Sequence, residues 1–294
     1  VVLRVLTVRV LGITSSYRRL GNTDILLRAA LMRIKELGGD VAAICLPRLE
    51  LKICKACYHC FWEDCMIQDD VEWVYDEMEK SDALIISTPT YILSIPGALK
   101  LLVDRLLSLY RRGDIFLGRP AGLIVAYGVE GWSGLALENT STFLLATGYR
   151  IVDFIKVRAA IPGEVLLMDD IISRARLLGE RVYKAASGEA TSPIYTKENC
   201  CPICGSEALH IIKDKVRCPL CDIEGQIELI DGEVKVMFPK DAYEKSRWSK
   251  ERRMEHLEYL VSSVNEYMDV KDQILERTKE FLAFNPYIKP EEYK

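Results

Sequence analysis

Over residues 1–190, short apolar runs alternate with segments of helical period, and this alternation constrains the fold more than any other feature. Leu3–Leu11, Val41–Leu46, Ala83–Ser87, Ala121–Ala126 and Ile151–Val157 read as strands. Thr23–Leu37, Val71–Glu79, Gly97–Tyr110, Leu135–Thr147 and Asp169–Ala186 read as helices. In the first helix Ile25, Leu26, Ala29, Ala30 and Ile34 fall on one stripe, and Gly38 and Gly39 end it. Regular strand–helix alternation predicts an α/β fold: an open parallel sheet covered on both faces.

The pattern changes after Ser187. Ser187–Thr196 is a small, polar linker. The expected divisions are 1–190, 197–238 with paired cysteines and short strands, and 239–294, a charged helical region. In that last region Leu257, Leu260, Val261, Val264, Met268 and Ile274 could dock on the body or on another subunit. The net charge of -4 argues against a general polyanion binder, and Lys213, Lys215 and Arg217 make only a small basic cluster. Nucleic acid is therefore not expected. The apolar opening Val1–Gly12 is too short to span a bilayer and is interrupted by Arg4 and Arg9. A cytoplasmic protein without a membrane partner is the expectation.

Cysteine usage points the same way. Cys54, Cys57, Cys60 and Cys65 stand in the spacing C-x2-C-x2-C-x4-C. Three thiolates spaced three apart can wrap one compact object, with the fourth arriving from the end of the loop. A cubane iron–sulfur cluster asks for that arrangement. Structural zinc, which prefers two separated C-x2-C knuckles, and free redox thiols are the rivals. Cys201, Cys204, Cys218 and Cys221 do form two such knuckles, thirteen residues apart. Four thiolates at that spacing suit a structural Zn2+, with a rubredoxin-like iron as the alternative. About forty residues cannot bury enough surface to fold alone, so the metal supplies stability. His59 and His210 read as ordinary histidines, Cys200 as a spare thiol and Cys45 as a packing residue.

Three loops carry the remaining chemistry. The first strand runs into Gly12–Thr23, which opens a helix. Helix N-terminal amides favour an anion. Ser16, Asn22 and Thr23 can donate hydrogen bonds, and Arg18 can supply a fixed positive charge. Without a Walker A or G-x-G-x-x-G pattern, the loop could also be a plain strand–helix turn with a Thr N-cap. The second loop is Ser87–Ile92, where Tyr91 could lie against a flat ring or simply be an exposed aromatic. The third is Tyr127–Trp132, whose Gly128 and Gly131 permit close backbone approach and whose Trp132 could equally be a packing residue.

Together, Gly12–Thr23, the run Cys54–Cys65, Ser87–Tyr91 and Leu99–Arg105 resemble the iron–sulfur flavoproteins, within the NADPH-dependent FMN reductase family of flavodoxin-like folds. The resemblance covers roughly residues 1–185. It implies a doubly wound five-stranded parallel sheet that binds FMN. Ser16, Arg18, Asn22 and Thr23 match the phosphate positions; Pro89, Thr90, Tyr91 and Ile92 match the loop beside the flavin ring; Tyr127 and Gly128 match more loosely. Cys54, Cys57, Cys60 and Cys65 match the ligands of a [4Fe–4S] cluster. Asp104 and Arg105 match a family signature and read as a helix-surface pair. Tyr17 and Leu20 depart from the family pattern, which usually has Pro and Gly there.

The expected function is electron transfer between a [4Fe–4S] cluster and FMN, to or from a ferredoxin-like or small-molecule partner, in a homodimer or homotetramer. Two alternatives stand beside it. One is an NAD(P)H-dependent FMN or quinone reductase; the other is a redox-sensing module that binds through its zinc ribbon.

Overall fold

The computed structural model describes residues 7–189, 199–284 and 286. Five strands form the main sheet: β1 (Arg9–Thr14), β2 (Asp40–Cys45), β3 (Ala83–Pro89), β4 (Pro120–Tyr127) and β5 (Arg150–Arg158). Their spatial order is β2-β1-β3-β4-β5, and every pairing is parallel. This is the flavodoxin-like order, with its switch point between β1 and β3. β3 and β4 are buried almost throughout, as central parallel strands must be.

Helices cover both faces. Helices α1 (Asn22–Glu36) and α5 (Asp169–Ala186) pack on one, their Leu26, Ala30, Ile34, Leu178 and Val182 meeting Val10, Ile85 and Ile124 of the sheet. The other face carries α2 (Val71–Glu79), α3 (Gly97–Asp104) and α4 (Ala136–Thr147), with Tyr75, Leu99, Leu102 and Phe143 against Leu11, Leu84 and Leu123. The helix expected over Gly97–Tyr110 stops early at Asp104, and a 3-10 stretch follows over Leu106–Arg112. Tyr75 Oη donates to Leu102 O at 3.0 Å and Arg105 N–H to the same carbonyl at 3.2 Å, which closes the last turn. The first strand was expected over Leu3–Leu11; residues 1–6 lie outside the described residues, as does most of the linker expected over Ser187–Thr196.

A second sheet of four antiparallel strands follows: β6 (His210–Ile212), β7 (Lys215–Arg217), β8 (Glu224–Ile230) and β9 (Glu233–Met237). Its cysteine knuckles are built into the main body. Cys201, Cys204, Cys218 and Cys221 belong to the same buried cluster as Phe143 and Leu144 of α4. Ser141 Oγ donates to Cys204 O at 3.2 Å, and Lys156 of β5 pairs with Glu207. A Cβ on Gly205, whose φ is +72°, would come within 2.5 Å of the Phe154 ring, so only glycine allows this approach. The ribbon and the sheet domain thus form one compact unit through Trp248, and Ser249–Lys294 forms a second. The helical region expected over 239–294 is broken once among the described residues, into α6 (Ala242–Lys245) and α7 (Lys250–Ala283). Ser249 caps α7 by accepting the Arg252 N–H. No helix among the described residues is long and apolar enough to cross a membrane.

Candidate functional site

The loops after β1, β3 and β4 and the cysteine loop after β2 all spring from the carboxyl edge of the main sheet, where open α/β sheets bind ligands. Two buried hydroxyl contacts tie the loop after β1 and the first turn of α1 to β3 there. Ser15 Oγ donates to Thr88 Oγ1 at 2.6 Å, and Ser87 Oγ donates to Thr23 O at 2.7 Å.

The backbone of the β1–α1 loop is held by nearby side chains. Ser16 N–H donates to Thr14 Oγ1, Arg18 N–H to Ser16 Oγ, and Leu20 N–H to Asp24 Oδ2 at 2.9 Å. Gly21, not Thr23, caps α1, and it brings no side-chain cap, so the first-turn amides remain open to an anion. Ser16 and Arg18 line a cavity of about 370 Å³ together with Arg19, Arg28 and Arg48. Asn22 does not face it: its Nδ2 donates to Ala159 O and Ile161 O, pinning the loop after β5 to the start of α1. Thr23 is buried beneath the loop. Of the four residues expected at a phosphate, the structure gathers Ser16 and Arg18 and commits the Asn22 side chain elsewhere. Arg28 and Arg48 escaped sequence reasoning. Arg28 stands four residues from Asp24, with which it pairs, and Arg48 lies in the turn after β2; neither carries a motif.

The loops after β3 and β4 interlock. Thr90 N–H donates to Ala126 O at 2.8 Å and its Oγ1 to Ser133 O at 3.3 Å. Tyr91 and Ser94 exchange backbone hydrogen bonds across a two-residue turn in which Ile92 and Leu93 take φ of +46° and +62°. Such a turn favours Asn and Gly, so a β-branched residue here holds strain. Leu135 N–H donates to Leu93 O at 2.8 Å. A Cβ on Gly134 would sit 2.1 Å from that oxygen, so glycine is required for the two loops to meet. Tyr91, Ile92 and Trp132 stay exposed, Ile92 at 93%. Pro89, Thr90 and Tyr127 are half-buried, and Gly128 is exposed, at the ends of β3 and β4.

The cysteine loop is closed at its neck. Asp69 Oδ2 accepts the Lys52 N–H at 2.8 Å and Arg105 Nη1 at 2.7 Å. Within the loop, Ala56 and Tyr58 take positive φ between successive cysteines, which turns the chain back twice in five residues. Phe61 is buried and meets Tyr110 edge-on at 5.0 Å. His59 faces Glu63 at 3.2 Å, in keeping with a role outside ligation. All four cysteines line one cavity of about 170 Å³, with Asp104, Arg105 and Ser108. The Ser108 Oγ is buried and has no hydrogen-bond partner. Arg105 corrects the sequence expectation. It is not on the helix surface but 2% exposed, in a buried pair with Asp69; only Asp104, paired with Lys100, is at the surface.

The two cysteine quartets differ in size. Cys201, Cys204, Cys218 and Cys221 have sulfurs within 4.8 Å of one another, the only such group of potential ligands among the described residues. Cys204 and Cys218 sulfurs stand 3.6 Å apart. A tetrahedral ion with metal–sulfur bonds of about 2.3 Å separates its sulfurs by about 3.8 Å. Each knuckle ends in a left-handed residue, Gly205 or Asp222, that turns the chain over the centre. The quartet at Cys54–Cys65 is more open and surrounds a cavity instead of a point. Both donor sets fit a metal centre.

A sheet of this order, with the loops after β1, β3 and β4 gathered at its carboxyl edge, is a flavodoxin-like fold. The NADPH-dependent FMN reductase family matches residues 8–153. An iron–sulfur flavoprotein of Archaeoglobus fulgidus is 29% identical over 178 residues, covering 60% of this chain and 80% of that protein. An iron–sulfur flavoprotein of Methanocaldococcus jannaschii is 31% identical over 141 residues, covering 47% of this chain and 71% of that protein. The chain belongs to this family of iron–sulfur flavoproteins and is a flavin-dependent oxidoreductase. In fold it is similar to the solved structure of a flavone reductase, with a TM-score of 0.77 and 22% identity, covering 96% of this chain and all of the other.

Proposed function

We propose that this protein transfers electrons between a [4Fe–4S] cluster held by Cys54, Cys57, Cys60 and Cys65 and an FMN bound at the ends of β1, β3 and β4. The observation that carries this reading is the cavity lined by all four thiols, wider than a single ion and holding the unpartnered Ser108 hydroxyl. When bound, the cluster exchanges single electrons and the flavin one or two. The chain supplies the setting. Ser16, Arg18 and the open amides of α1 hold the phosphate, and Tyr91 and Trp132 offer faces to the ring. The Thr90–Ser133 and Leu93–Leu135 contacts fix the two ring-side loops against each other.

The buried quartet Cys201, Cys204, Cys218 and Cys221 would hold a structural Zn2+. A closed shell of four thiols leaves no position for substrate. The partner is a one-electron donor of the ferredoxin kind or NAD(P)H, and the acceptor a small molecule. A homodimer or homotetramer is expected to bring cluster and flavin together. In α7 the residues Met254, Leu257, Val261, Val264 and Met268 fall on alternating three- and four-residue steps, Leu275 and Leu282 follow at seven-residue steps, and none is buried. The working compartment is a reducing one, as free thiols in metal-ligand spacing require.

The test is anaerobic purification with counts of iron, labile sulfide, zinc and FMN. Roughly four iron and four sulfide per chain, with one FMN and one zinc, are expected. Zinc in the first quartet or no flavin would defeat the reading. Bleaching of the flavin by reduced ferredoxin, compared with NADH and NADPH, identifies the donor class.

A further inference from the structure

We propose that Arg105 and Ser108 set the redox poise of the centre at Cys54–Cys65, Arg105 by donating to the Cys65 sulfur and Ser108 through its free hydroxyl. This rests on the cluster reading above and goes beyond it, since it concerns residues that are not ligands.

Arg105 is an arginine with 2% exposure, and its place is costly unless every charge finds a partner. Its Nη1 donates to Asp69 Oδ2 at 2.7 Å and to Lys52 O at 3.4 Å; its Nη2 donates to Cys65 Sγ at 3.3 Å. Asp69 is itself wholly buried and shared. The oxygen that takes Arg105 also takes the Lys52 N–H, and the other takes the Val71 N–H at 3.2 Å. Its negative charge is therefore spread over three donors, while the Nη2 arm of the guanidinium is left to the sulfur. A neck clasp would need only the Asp69 and Lys52 contacts. The bond to Cys65 is additional and points at a ligand atom.

Ser108 stands three residues on and lines the same cavity. Its Oγ is buried without a partner, a costly state for a hydroxyl that has left water. A hydroxyl in that position is ready to donate to sulfur inside the cavity. Reduction adds negative charge to the cluster and its sulfurs. A hydrogen bond or a fixed cation beside them stabilises the reduced form more than the oxidised one and raises the potential. The two residues therefore act in the same direction.

The experiment is anaerobic spectroelectrochemical titration of the holoprotein and of Arg105→Lys, Arg105→Gln and Ser108→Ala, each normalised to labile sulfide. The midpoint of the iron–sulfur centre is expected to move negative in all three, least in Arg105→Lys, while the flavin midpoint moves less. Ser108→Ala removes a group that holds up no part of the fold, so it remains informative if Arg105→Gln loses its cluster. Unshifted cluster midpoints in Arg105→Lys and Ser108→Ala at full sulfide content would overturn the proposal and leave the cluster reading standing. Absence of labile sulfide from the unmutated protein would instead defeat the cluster reading itself.

Discussion

Ser206 Oγ donates a 3.0 Å hydrogen bond to Glu138 Oε1 in the buried seam between the metal knuckle and α4. The next residue, Asn139, donates through Nδ2 to Ser94 Oγ at 2.9 Å, in the exposed turn beside the flavin site. One turn of α4 thus grips the ribbon with one side chain and the ligand loop with its neighbour. The ribbon stands as part of the frame of the proposed flavin site.

Ser206→Ala should leave the Glu138 carboxylate, 7% exposed, without its hydroxyl donor. A loss of about 1–3 kcal/mol in urea unfolding is expected for a buried acceptor deprived of its partner. Ser141→Ala, which removes a neutral bond to Cys204 O, should cost less, about 1 kcal/mol. Equal and negligible effects would mean that the seam does not hold the two parts together.

Metal removal should be felt by the whole unit. The four ribbon thiols share a buried cluster with Phe143 and Leu144, so they cannot loosen alone. A strong chelator under anaerobic reducing conditions is expected to lower the melting temperature of the main cooperative transition and to weaken FMN binding. Zinc analysis and far-UV circular dichroism on the same samples check this. A metal-free protein that melts like the holoprotein would remove the structural role.

Tyr91 and Trp132 are 55% and 60% exposed and support little of the fold. Alanine at either position should leave the melting temperature unchanged. A stacked aromatic contributes about 0.5–1.5 kcal/mol, so the FMN dissociation constant should rise roughly two- to ten-fold. Fluorescence titration of the apoprotein reads both. Unaltered binding in Trp132→Ala would assign the ring face to Tyr91 alone.

Asp153 gives a pH signature. Its side chain is fully buried in β5, and burial raises its pKa against the pull of Arg174 and Arg181. An acid whose folded-state pKa lies above its unfolded value binds its proton more tightly when folded. Its stabilisation is present below the unfolded value, about 3.9, and is lost as pH rises through the folded pKa. The melting-temperature advantage of the unmutated protein over Asp153→Asn should therefore shrink as pH rises from about 4 upward. An advantage that grows over that range would show the Arg174 pair to outweigh burial.

Periodicity alone determined the frame. Val71–Glu79 and Asp169–Ala186 form helices with the bounds their sequence implies, and most other core elements keep theirs closely, but the helix expected over Gly97–Tyr110 ends at Asp104 and the first strand is shifted to Arg9–Thr14. Apolar spacing is a local property, and burial on two faces leaves it no second solution. The cysteine quartets were legible for the same reason, because ligand spacing is written along the chain. Distance across the fold was not. Asn22 looked like a phosphate donor until β5 brought Ala159 and Ile161 to its amide, and Arg28 and Arg48 joined the anion cavity from separate elements. Arg105 looked like a surface charge because nothing near it in sequence reveals that Asp69, 36 residues away, is buried beside it. Sequence determined which elements form and which residues can bind metal. Tertiary structure decided which charges are desolvated together, since that depends on what the folded chain places around each group and removes from water.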